Sequence, residues 1–438
     1  MSVHQLEPPA VASIPAPEPP TYEELAVRFR PIFERIAKDA LRREQLRELP
    51  FEAVGWLREA GFGAVRIPQS YGGGGATLPQ LFRLLVELGE ADSNLSHLLR
   101  GHFAFLEARL VSPDQSAHAF WFPKIIDGAL IGYAMAERTE KTGSTATITK
   151  EGSQWILNGK KYYSTGTIYA DWIVASAMDG EERVSVAVPA NASGVKKEDD
   201  WDGFGQRLTG SGTTVFDRVQ IAPEHIVRRF SAADQNTSAQ KAFLQLVLLA
   251  TLAGIARAVL RDGIGFVQPR TRAFGLPGTS SPRSDPLVQR VIGRLASLSF
   301  AAETIVDGVA DALEHTYQAG LAGTANEALY VATDIKAFQA QQIVINLVLE
   351  ATTLLFEVGG ASATSETRRL DRHWRNARTA ASHNPAILRE RAIGDYYLNG
   401  TIPDGAWAAL DKKRVQSSAE DKAPGSGETP FNGSVLLP

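Results

Sequence analysis

The chain has 438 residues, 44% of them hydrophobic and 21% charged, which is the composition of an ordinary globular protein long enough for two or three domains. A net charge of -4 gives no reason to expect nucleic acid or an anionic membrane as a partner. The sequence has no cysteine, which excludes disulfides, thiolate catalysis and zinc–thiolate sites, and its eight histidines form no HExxH-type pair, so we expect no metal.

The first 129 residues divide into a proline-rich segment and a helical region. We expect residues 1–20 to be a disordered tail, because their Pro-Pro and Pro-Ala-Pro segments favour extended, solvated backbone. The segment lacks the basic and apolar regions of a signal peptide, which predicts a cytoplasmic protein. Residues 21–129 are expected to form an N-terminal helical domain, since their apolar residues recur at a spacing of three to four. Its helices are predicted to begin at Tyr22 and then to cover 50–60, 79–91 and 93–110.

Residues 130–235 change to short runs of alternating apolar and polar residues, which predict a small antiparallel β domain. Turn signals such as Asn158-Gly159 and Asp179-Gly180 separate these runs. The predicted strands cover 146–149, 155–157, 172–177, 184–189 and 213–219.

Residues 236–411 are helical again and predict a C-terminal four-helix bundle, followed by a loose tail at 412–438. The run 242–260 comes closest to the length of a membrane span, but Gln245 and Arg257 interrupt it, so we expect no membrane segment. The expected fold class is α+β, mainly α, in the order helices, β domain, helix bundle. The bundle helices are predicted at 242–267, 287–319, 325–359 and 385–398.

Four short motifs occur in this order on the expected element types. They are IPQSYGGGG at 67–75, WILNGKK at 155–161, YSTG at 163–166 and FVQPRTRAFG at 266–275. Together with the order of the domains, they resemble the acyl-CoA dehydrogenase superfamily over residues 22–400. In that family the corresponding segments are a glycine-rich loop, an Asn-Gly-x-Lys hairpin, a loop that contacts the flavin and a helix end whose arginine reaches the flavin phosphate. The resemblance implies an acyl-CoA dehydrogenase-like fold and a flavin cofactor.

Other segments resemble the flavin-dependent monooxygenase branch of this superfamily, which includes dibenzothiophene monooxygenases and sulfur-acquisition oxidoreductases. These segments are DWDGFGQR at 200–207, DRHWRNART at 371–379 and YYLNG at 396–400. SHNP at 382–385 stands at the C-terminal active-site motif, and YAMAERTE at 133–140 lacks the Glu-Pro-x-Ala-Gly-Ser-Asp pattern, so both point away from acyl-CoA chemistry. Tyr133 and Ala380 stand where the branch often has asparagine and histidine, which leaves the substrate and the details of the flavin pocket open.

The resemblance implies a two-component monooxygenase and a homotetramer. Reduced FMN would come from a separate NAD(P)H:flavin reductase, because no Gly-x-Gly-x-x-Gly opens a helix after a predicted strand in this sequence. A flavin C4a-hydroperoxide formed with O2 would then pass its distal oxygen to a small organosulfur or aromatic sulfur compound. Four alternatives stay open: FAD in place of FMN, amine N-hydroxylation on the same scaffold, a catalytically idle flavin-binding subunit, and an acyl-CoA dehydrogenase with Glu350 or Glu357 as its base.

Three residues are candidates for the chemistry itself. His383 titrates in the range useful for proton donation, although by residue type alone a helix-capping histidine is the commoner interpretation. His97 matches a histidine that faces the flavin and substrate in the branch, with a buried core histidine as the alternative. His102 is five residues away and cannot share its helix face well. Ser164 would hydrogen-bond flavin N5, with an ordinary turn serine as the alternative.

The remaining expected contacts are with the cofactor. Guanidinium groups fork onto phosphate oxygens, so Arg270 or Arg272 would hold the flavin phosphate of its own or a neighbouring subunit. Gly359 and Gly360 would bring backbone amides close to the cofactor, unless they simply end a helix. The other expected contacts come from His383 and Ser164 again, and from Tyr133, Met135, Thr165 and Trp201, the last of which would wall the cavity or be ordinary core.

Overall fold

The structure, a computed structural model, describes residues 19–138, 145–230, 238–271 and 281–403. Most of the predicted tails, and Arg272, lie outside the described residues. The N-terminal helices are α1 (Tyr22–Leu46), α2 (Phe51–Glu59), α3 (Leu78–Ala91), α4 (Ser93–Leu98), α5 (Arg100–Leu110) and α6 (Gln115–Ile126). The strands are β1 (Ile131–Ala134), β2 (Thr147–Glu151), β3 (Gln154–Lys161), β4 (Trp172–Asp179), β5 (Glu182–Pro189), β6 (Val195–Lys197), β7 (Thr214–Ile221) and β8 (Ile226–Arg229). The C-terminal helices are α7 (Gln240–Val267), α8 (Pro286–Leu321), α9 (Glu327–Leu354), α10 (Asp371–Ser382) and α11 (Ala386–Asn399).

Local sequence sets where the N-terminal helices begin. Thr21 and Glu24 form a capping box at the start of α1, in which each side chain accepts a hydrogen bond from the other residue's backbone N–H. Thr77 and Gln80 repeat this arrangement at the start of α3. Asp92 then caps α4 by accepting a hydrogen bond from an N–H of its first turn. Because such caps satisfy N–H groups that have no partner within the helix, they fix the point at which α3 gives way to α4.

The single helix predicted over 93–110 is wrong, because the chain forms two helices with Leu99 between them. The N–H of Leu99 bonds back to the carbonyl of His97 in a tight turn, with φ -78° and ψ -4°. Apolar spacing continues through this turn, so periodicity alone does not reveal it. As a result His97 and Arg100 belong to different helices, α4 and α5.

The sheet is mixed, which corrects the prediction of a purely antiparallel β domain. Its strand order is β6-β7-β3-β2-β4-β5-β8, and β1 pairs with β4 in parallel, Ile131 opposite Trp172. The β2–β3, β3–β7 and β4–β5 pairs are antiparallel, as the turn signals predicted. The strands missed from sequence, β1, β6 and β8, have three or four residues each, too few to show an alternation.

Helix α7 is the centre of the helical core and packs against α3, α8 and α9. The predicted helix at 385–398 forms as α11 but buries none of its residues. The short, strongly polar α10, to which the sequence analysis assigned no helix, packs instead on both α7 and α9. The order of helices, sheet and helices is that of the predicted fold.

In the part of the chain that the structure describes, two helices are long and apolar enough to cross a membrane by length and composition alone. They are Gln240–Val267, 83% buried within the protein over its most apolar stretch, and Glu327–Val358, 44% buried. The first of these helices, α7, is buried against α3, α8 and α9, as the core helix of a globular protein is.

Candidate active site

Two histidines that are far apart in sequence come together beside the N-terminal half of α7. His97 is buried on α4, and His383 follows the last residue of α10. Their ring centroids are 5.7 Å apart, with the ring planes inclined at 61°. The tight turn at Leu99 and the end of α10 therefore create the pair.

The hydrogen bonds around Gln206 determine how His97 is protonated. The side-chain nitrogen Nε2 of Gln206 donates to the hydroxyl of Ser93 at 3.2 Å and to the carbonyl of Asn376 at 3.4 Å. The oxygen Oε1 therefore faces Nδ1 of His97 at 3.3 Å, and that nitrogen must donate. Nε2 of His97 is left with a lone pair, buried and without a hydrogen-bond partner in the described part of the chain.

His383 has the same tautomer for a similar reason. Arg100 can only donate, so its Nη1, 3.4 Å away, places the lone pair of His383 on Nε2. The proton is then on Nδ1, 3.3 Å from Oδ1 of Asn384. The amide nitrogen of Asn384 donates to Gln245 on α7 at 2.8 Å, which keeps its oxygen turned towards His383.

Both rings are neutral near pH 7. Burial, and then the charge of Arg100, lower the pKa of His97 to about 4. The pKa of His383 is lowered well below its usual value, first by the loss of solvation on burial and then by the charges of Arg100 and His97. His383 nevertheless keeps an exposed side, and water there weakens this shift. The pair therefore offers hydrogen-bond acceptors rather than cations.

The loop after β3 places Ser164 against the same region. Ser164 is fully buried, its N–H donates to the carbonyl of Gly212 at 3.1 Å, and its hydroxyl has no partner among the described residues. Tyr163 takes a left-handed conformation with φ 61°, an unfavourable one for a tyrosine, to make this turn. Gly166 lies so close to α4 that a Cβ there would be 2.8 Å from the carbonyl oxygen of Leu98. The Ser164 loop and the helix that carries His97 are thus in direct contact.

Four other predicted contacts lie around this loop. The N–H of Tyr133 donates to the carbonyl of Thr165 at 3.2 Å, which joins β1 to the loop. The ring of Tyr133 fills the space beside Gly101, where a Cβ would be 2.8 Å from its Cγ. Met135 directly follows the last residue of β1 and is half-buried. Trp201 packs against Tyr163 with ring centroids 6.0 Å apart.

The predicted phosphate contacts do not join the histidines within one chain. Arg270 follows the C-terminal end of α7 and stacks on the ring of Phe266 at 4.7 Å. Gly359 lies beside it, since a Cβ there would be 3.0 Å from Nη1 of Arg270, and Gly360 follows with φ 51°. Gln245, next to His383, lies near the other end of α7, about 35 Å away at the rise of roughly 1.5 Å per residue of an α-helix.

Sequence reasoning missed the residues that control the histidines. Gln206 lies within the DWDGFGQR segment, but nothing in that segment shows that its side chain reaches His97. Arg100 and Arg389, which approach His383 from α5 and α11, belong to no motif. The proximity of Arg100 to His97 in sequence was the one available signal.

Comparison with known proteins relates this geometry to a family. Models of the N-terminal, middle and C-terminal domains of acyl-CoA dehydrogenases match residues 21–129, 133–219 and 246–386. A probable FMNH2-dependent monooxygenase, SfnC of Pseudomonas putida, is 28% identical over 396 residues, which cover 89% of this chain and 96% of that protein. A dibenzothiophene monooxygenase of Mycolicibacterium goodii is 28% identical over 371 residues, covering 79% of this chain and 87% of that protein.

A solved structure agrees with these sequence matches. The FMN-bound crystal structure of TdsC from Paenibacillus sp. A11-2 superposes with a TM-score of 0.80 at 25% identity. The superposition covers 87% of this chain and 98% of TdsC. The matched regions follow one another in the order predicted from the motifs.

Proposed function

The chain belongs to the acyl-CoA dehydrogenase family, and we propose that within it this protein is a two-component, FMNH2-dependent monooxygenase that oxygenates a small organosulfur compound. One observation carries the proposal: two neutral histidines face each other where a dehydrogenase of this family would need a carboxylate base. The relatives named as flavin-dependent monooxygenases support the same chemistry.

The carboxylates suggested for dehydrogenase chemistry are badly placed. Glu350 is exposed and pairs with Arg294 of α8 at 2.7 Å. Glu357 is exposed in the turn after α9, just before Gly359, on the side of Arg270 rather than of His383. Neither lies where His97 and His383 meet.

The residues present fit a reduced flavin. The hydroxyl of Ser164 and Nε2 of His97 are buried polar atoms without partners among the described residues, and such atoms are costly unless a ligand satisfies them. A flavin ring offers donors and acceptors along one edge and two apolar faces. Trp201 and Tyr163 would supply an aromatic wall for it. Reduced flavin, when bound, supplies two electrons and activates O2.

The chain's own residues would then manage hydrogen bonds and protons. Ser164 would hold the polar edge of the flavin. Nε2 of His97 would accept a hydrogen bond or a proton from the reacting group, because its lone pair has no partner in the described chain. Nε2 of His383 already accepts from Arg100 at 3.4 Å and would act on the reacting group only when that long hydrogen bond is given up. His97 is buried on α4, and the exclusion of water from its side of the pair would protect reactive oxygen species from premature release.

The assembly is also part of the proposal. We propose a homotetramer in the cytoplasm, served by a separate NAD(P)H:flavin reductase, in which Arg270, Gly359 and Gly360 hold the phosphate of a flavin bound to another copy. Large apolar side chains on helices, which the described part of the chain leaves exposed, support self-association. These exposed residues are Phe300, Ile343, Ile387, Leu388, Tyr397 and Leu398. Residues 21–129, 130–235 and 236–411 would be the three domains.

The test is anaerobic binding of FMNH2 followed by a pulse of O2 in the presence of organosulfur compounds. We expect the protein to bind FMNH2, to change its rate of reoxidation from that in free solution, and to form an oxygenated sulfur product. His383→Asn should lower product yield per FMNH2 consumed at least tenfold, since a positioned proton-transfer group typically contributes about 100-fold or more. His315→Asn, on the exposed surface of α8, is the matched control.

A contrary result is equally clear. Reoxidation of FMNH2 at the free-solution rate, together with bleaching of bound FAD by an acyl-CoA, would show a dehydrogenase with an unrecognised base.

A further inference from the structure

A glycine of α5 and a tyrosine of β1 fit against each other beside the candidate active site. Gly101 is buried at the start of α5, directly after Arg100, whose Nη1 lies 3.4 Å from Nε2 of His383. A Cβ at position 101 would be 2.8 Å from Cγ, 2.9 Å from Cδ1 and 3.0 Å from Cβ of Tyr133. Because non-bonded carbon atoms pack at about 3.5–4.0 Å, only glycine fits there while the tyrosine keeps its place.

Strand β1 is held on its other sides, which leaves Tyr133 little room to move away. The strand pairs with β4 in parallel, and the N–H of Tyr133 donates to the carbonyl of Thr165 at 3.2 Å. A Cβ on the preceding Gly132 would be only 2.7 Å from Cα of Thr167. The ring of Tyr133 is therefore fixed between α5 and the loop that carries Ser164.

Tyr133 brings volume, and not charge, to this region. Burial raises the pKa of Tyr133 to about 12, although the charges of Arg109, Arg100 and Arg228 act in the opposite direction. The side chain is therefore a neutral phenol at physiological pH. Its ring occupies space beside Arg100 and His383 that a smaller residue on β1 would leave to a ligand.

We propose that Tyr133, which only Gly101 admits, sets the upper size limit of the substrate. Sulfur compounds with two small alkyl groups then fit beside His383, whereas those with a phenyl ring in place of one alkyl group do not. Tyr133 is the specificity-determining residue, and Gly101 acts through it as a positioning residue. The inference rests on the proposed function for the nature of the reacting atom.

A second glycine–tyrosine pair, remote from the histidines, lacks this tight fit. A Cβ on Gly320, near the end of α8, would be 3.6 Å from the hydroxyl oxygen of Tyr330 on α9, an ordinary contact with the far end of a side chain. Gly101 and Gly320 are both helical, and alanine is intrinsically more stable than glycine in a helix. The same substitution should therefore have opposite effects at the two glycines.

Urea denaturation of the full-length protein tests the fit itself. Gly101→Ala should lower the midpoint of unfolding when Tyr133 is present and raise it when Tyr133→Ala has removed the ring. Gly320→Ala should raise the midpoint whether or not Tyr330→Ala accompanies it. A higher midpoint for Gly101→Ala alone would show that the ring does not exclude a side chain at position 101.

Two neutral probes that differ by one ring test the size limit. Dimethyl sulfoxide and methyl phenyl sulfoxide share an oxidisable sulfur, and ligand-observed NMR would measure the binding of each to the full-length protein. The reaction of either probe balances: a sulfoxide, reduced FMN and O2 give a sulfone, oxidised FMN and water. One S–O bond forms, the O–O bond breaks, the sulfur and the flavin each lose two electrons, and water takes two hydrogens from the reduced flavin.

We expect wild-type protein to bind dimethyl sulfoxide at least tenfold more tightly than methyl phenyl sulfoxide. In Tyr133→Ala this ratio should move by roughly 10- to 100-fold towards the phenyl compound, the usual contribution of burying one aromatic ring. Tyr133→Phe, which keeps the ring and loses the hydroxyl, and Tyr330→Ala should both keep the wild-type ratio. Tyr133→Leu should shift the ratio in the same direction as alanine, and it replaces the alanine variant if that protein does not fold.

Two results would overturn the proposal. One is an equal affinity of wild-type protein for the two sulfoxides. The other is an unchanged ratio in Tyr133→Ala, and a loss of FMN binding in that variant, measured by fluorescence quenching, would then assign the ring to the flavin. If the ratio shifts as expected but neither sulfoxide is converted to its sulfone with FMNH2 and O2, the size limit stands and the proposed monooxygenase function fails.

Discussion

Arginine and histidine side chains lie at both ends of helix α7. At one end they are paired with a carboxylate, and at the other they are not. At the end we call the paired end, Asp262 accepts hydrogen bonds from Nη2 of Arg372 at 2.5 Å and from Nε2 of His373 at 2.9 Å. At the end we call the open end, formed by Arg100, Arg389, His97 and His383, neither arginine forms an ion pair with a carboxylate of the described chain, although the charge of Asp334 acts on Arg389. The charges at the paired end are matched within the folded chain, whereas those of the two arginines at the open end have no ion-pair partner in its described part.

The direction of the pKa shifts alone does not distinguish the two ends. Burial by itself would raise the pKa of Asp262, but the hydrogen bond from His373 and the charge of Arg372 hold it well below its usual range. Burial and Arg372 lower the pKa of His373 to about 4, the same value that burial and Arg100 give His97. What distinguishes them is bonding: His373 donates to a carboxylate, while His97 keeps a buried nitrogen with no partner in the described chain.

The sharpest test of this comparison makes one substitution at both ends. His97→Phe should lower the rate of substrate oxygenation by about 100- to 10,000-fold, because it removes a positioned proton acceptor. Its free energy of unfolding should fall by only about 0.5–1 kcal/mol, since Nε2 has no partner in the described chain and Nδ1 loses a single hydrogen bond to the neutral amide of Gln206. His373→Phe should instead lower the free energy of unfolding by about 1–3 kcal/mol, through the hydrogen bond lost at Asp262.

Product formation and urea denaturation of both variants are the measurements. If His373→Phe reduced turnover of the folded protein as much as His97→Phe does, the distinction between the two ends would be wrong.

Breaking the paired end directly should have the next largest effect. Asp262→Asn leaves Arg372 buried without its counterion, which typically costs about 3–5 kcal/mol of stability. Asp307→Asn, which breaks an exposed pair with Arg83 at 3.2 Å, should cost less than about 1 kcal/mol and serves as the control. Urea denaturation at neutral pH measures both.

The same substitution predicts a pH dependence with a definite sign. The folded protein holds the pKa of Asp262 below the unfolded value of about 3.9, so the unfolded chain binds the proton first. The stability from Asp262 is therefore present above pH 4 and is lost as the pH falls towards the folded pKa. Asp262→Asn should lose this component of acid unfolding; an unchanged slope of stability with pH below 4 would contradict the assignment.

The comparison also shows how far the sequence can predict this site. His97 and His383 were predicted because the resemblance supplied their positions, and the long helices because apolar residues recur along them. No local pattern could show that Arg372 pairs with Asp262 while Arg100 pairs with no acid among the described residues, since both facts depend on contacts between distant segments. The turn at Leu99 and the short strand β1 were missed for a related reason, because tertiary contacts and not periodicity determine them.

A smaller effect should follow from changing the partner of His97 rather than His97 itself. In Gln206→Glu a carboxylate would face Nδ1–H, favour the imidazolium and raise the pKa of His97 from about 4 towards its usual value. If neutral His97 is required, the acidic limb of the kcat/KM profile should move to higher pH and activity should recover in alkaline buffer. Gln206→Leu is the control. It should lower kcat roughly tenfold, since the tautomer is no longer held, and should not move the limb to higher pH, because the hydrogen bond from Gln206 raises the pKa of His97 and its loss can only lower it.

The protonation state of His97 in the same variants can also be measured directly, without an activity assay. In nitrogen NMR spectra of the ring, Nδ1 of His97 should carry the proton in wild type, and the imidazolium should persist to higher pH in Gln206→Glu. A wild-type ring protonated at Nε2 would contradict the hydrogen-bond assignment at Gln206.

Replacing one arginine by methionine should change the free energy of unfolding in opposite directions at the two ends, and the change at the open end is the smallest that we predict. Arg389→Met removes a cation whose buried Nη1 has no partner in the described chain and keeps an apolar contact with Phe338, so stability should rise by about 1 kcal/mol. Arg372→Met should lower it by about 3 kcal/mol, because Asp262 loses its cation. A loss of stability in Arg389→Met would show that the folded chain already supplies Arg389 with a stabilising partner. The distinction between the paired end and the open end would then be wrong.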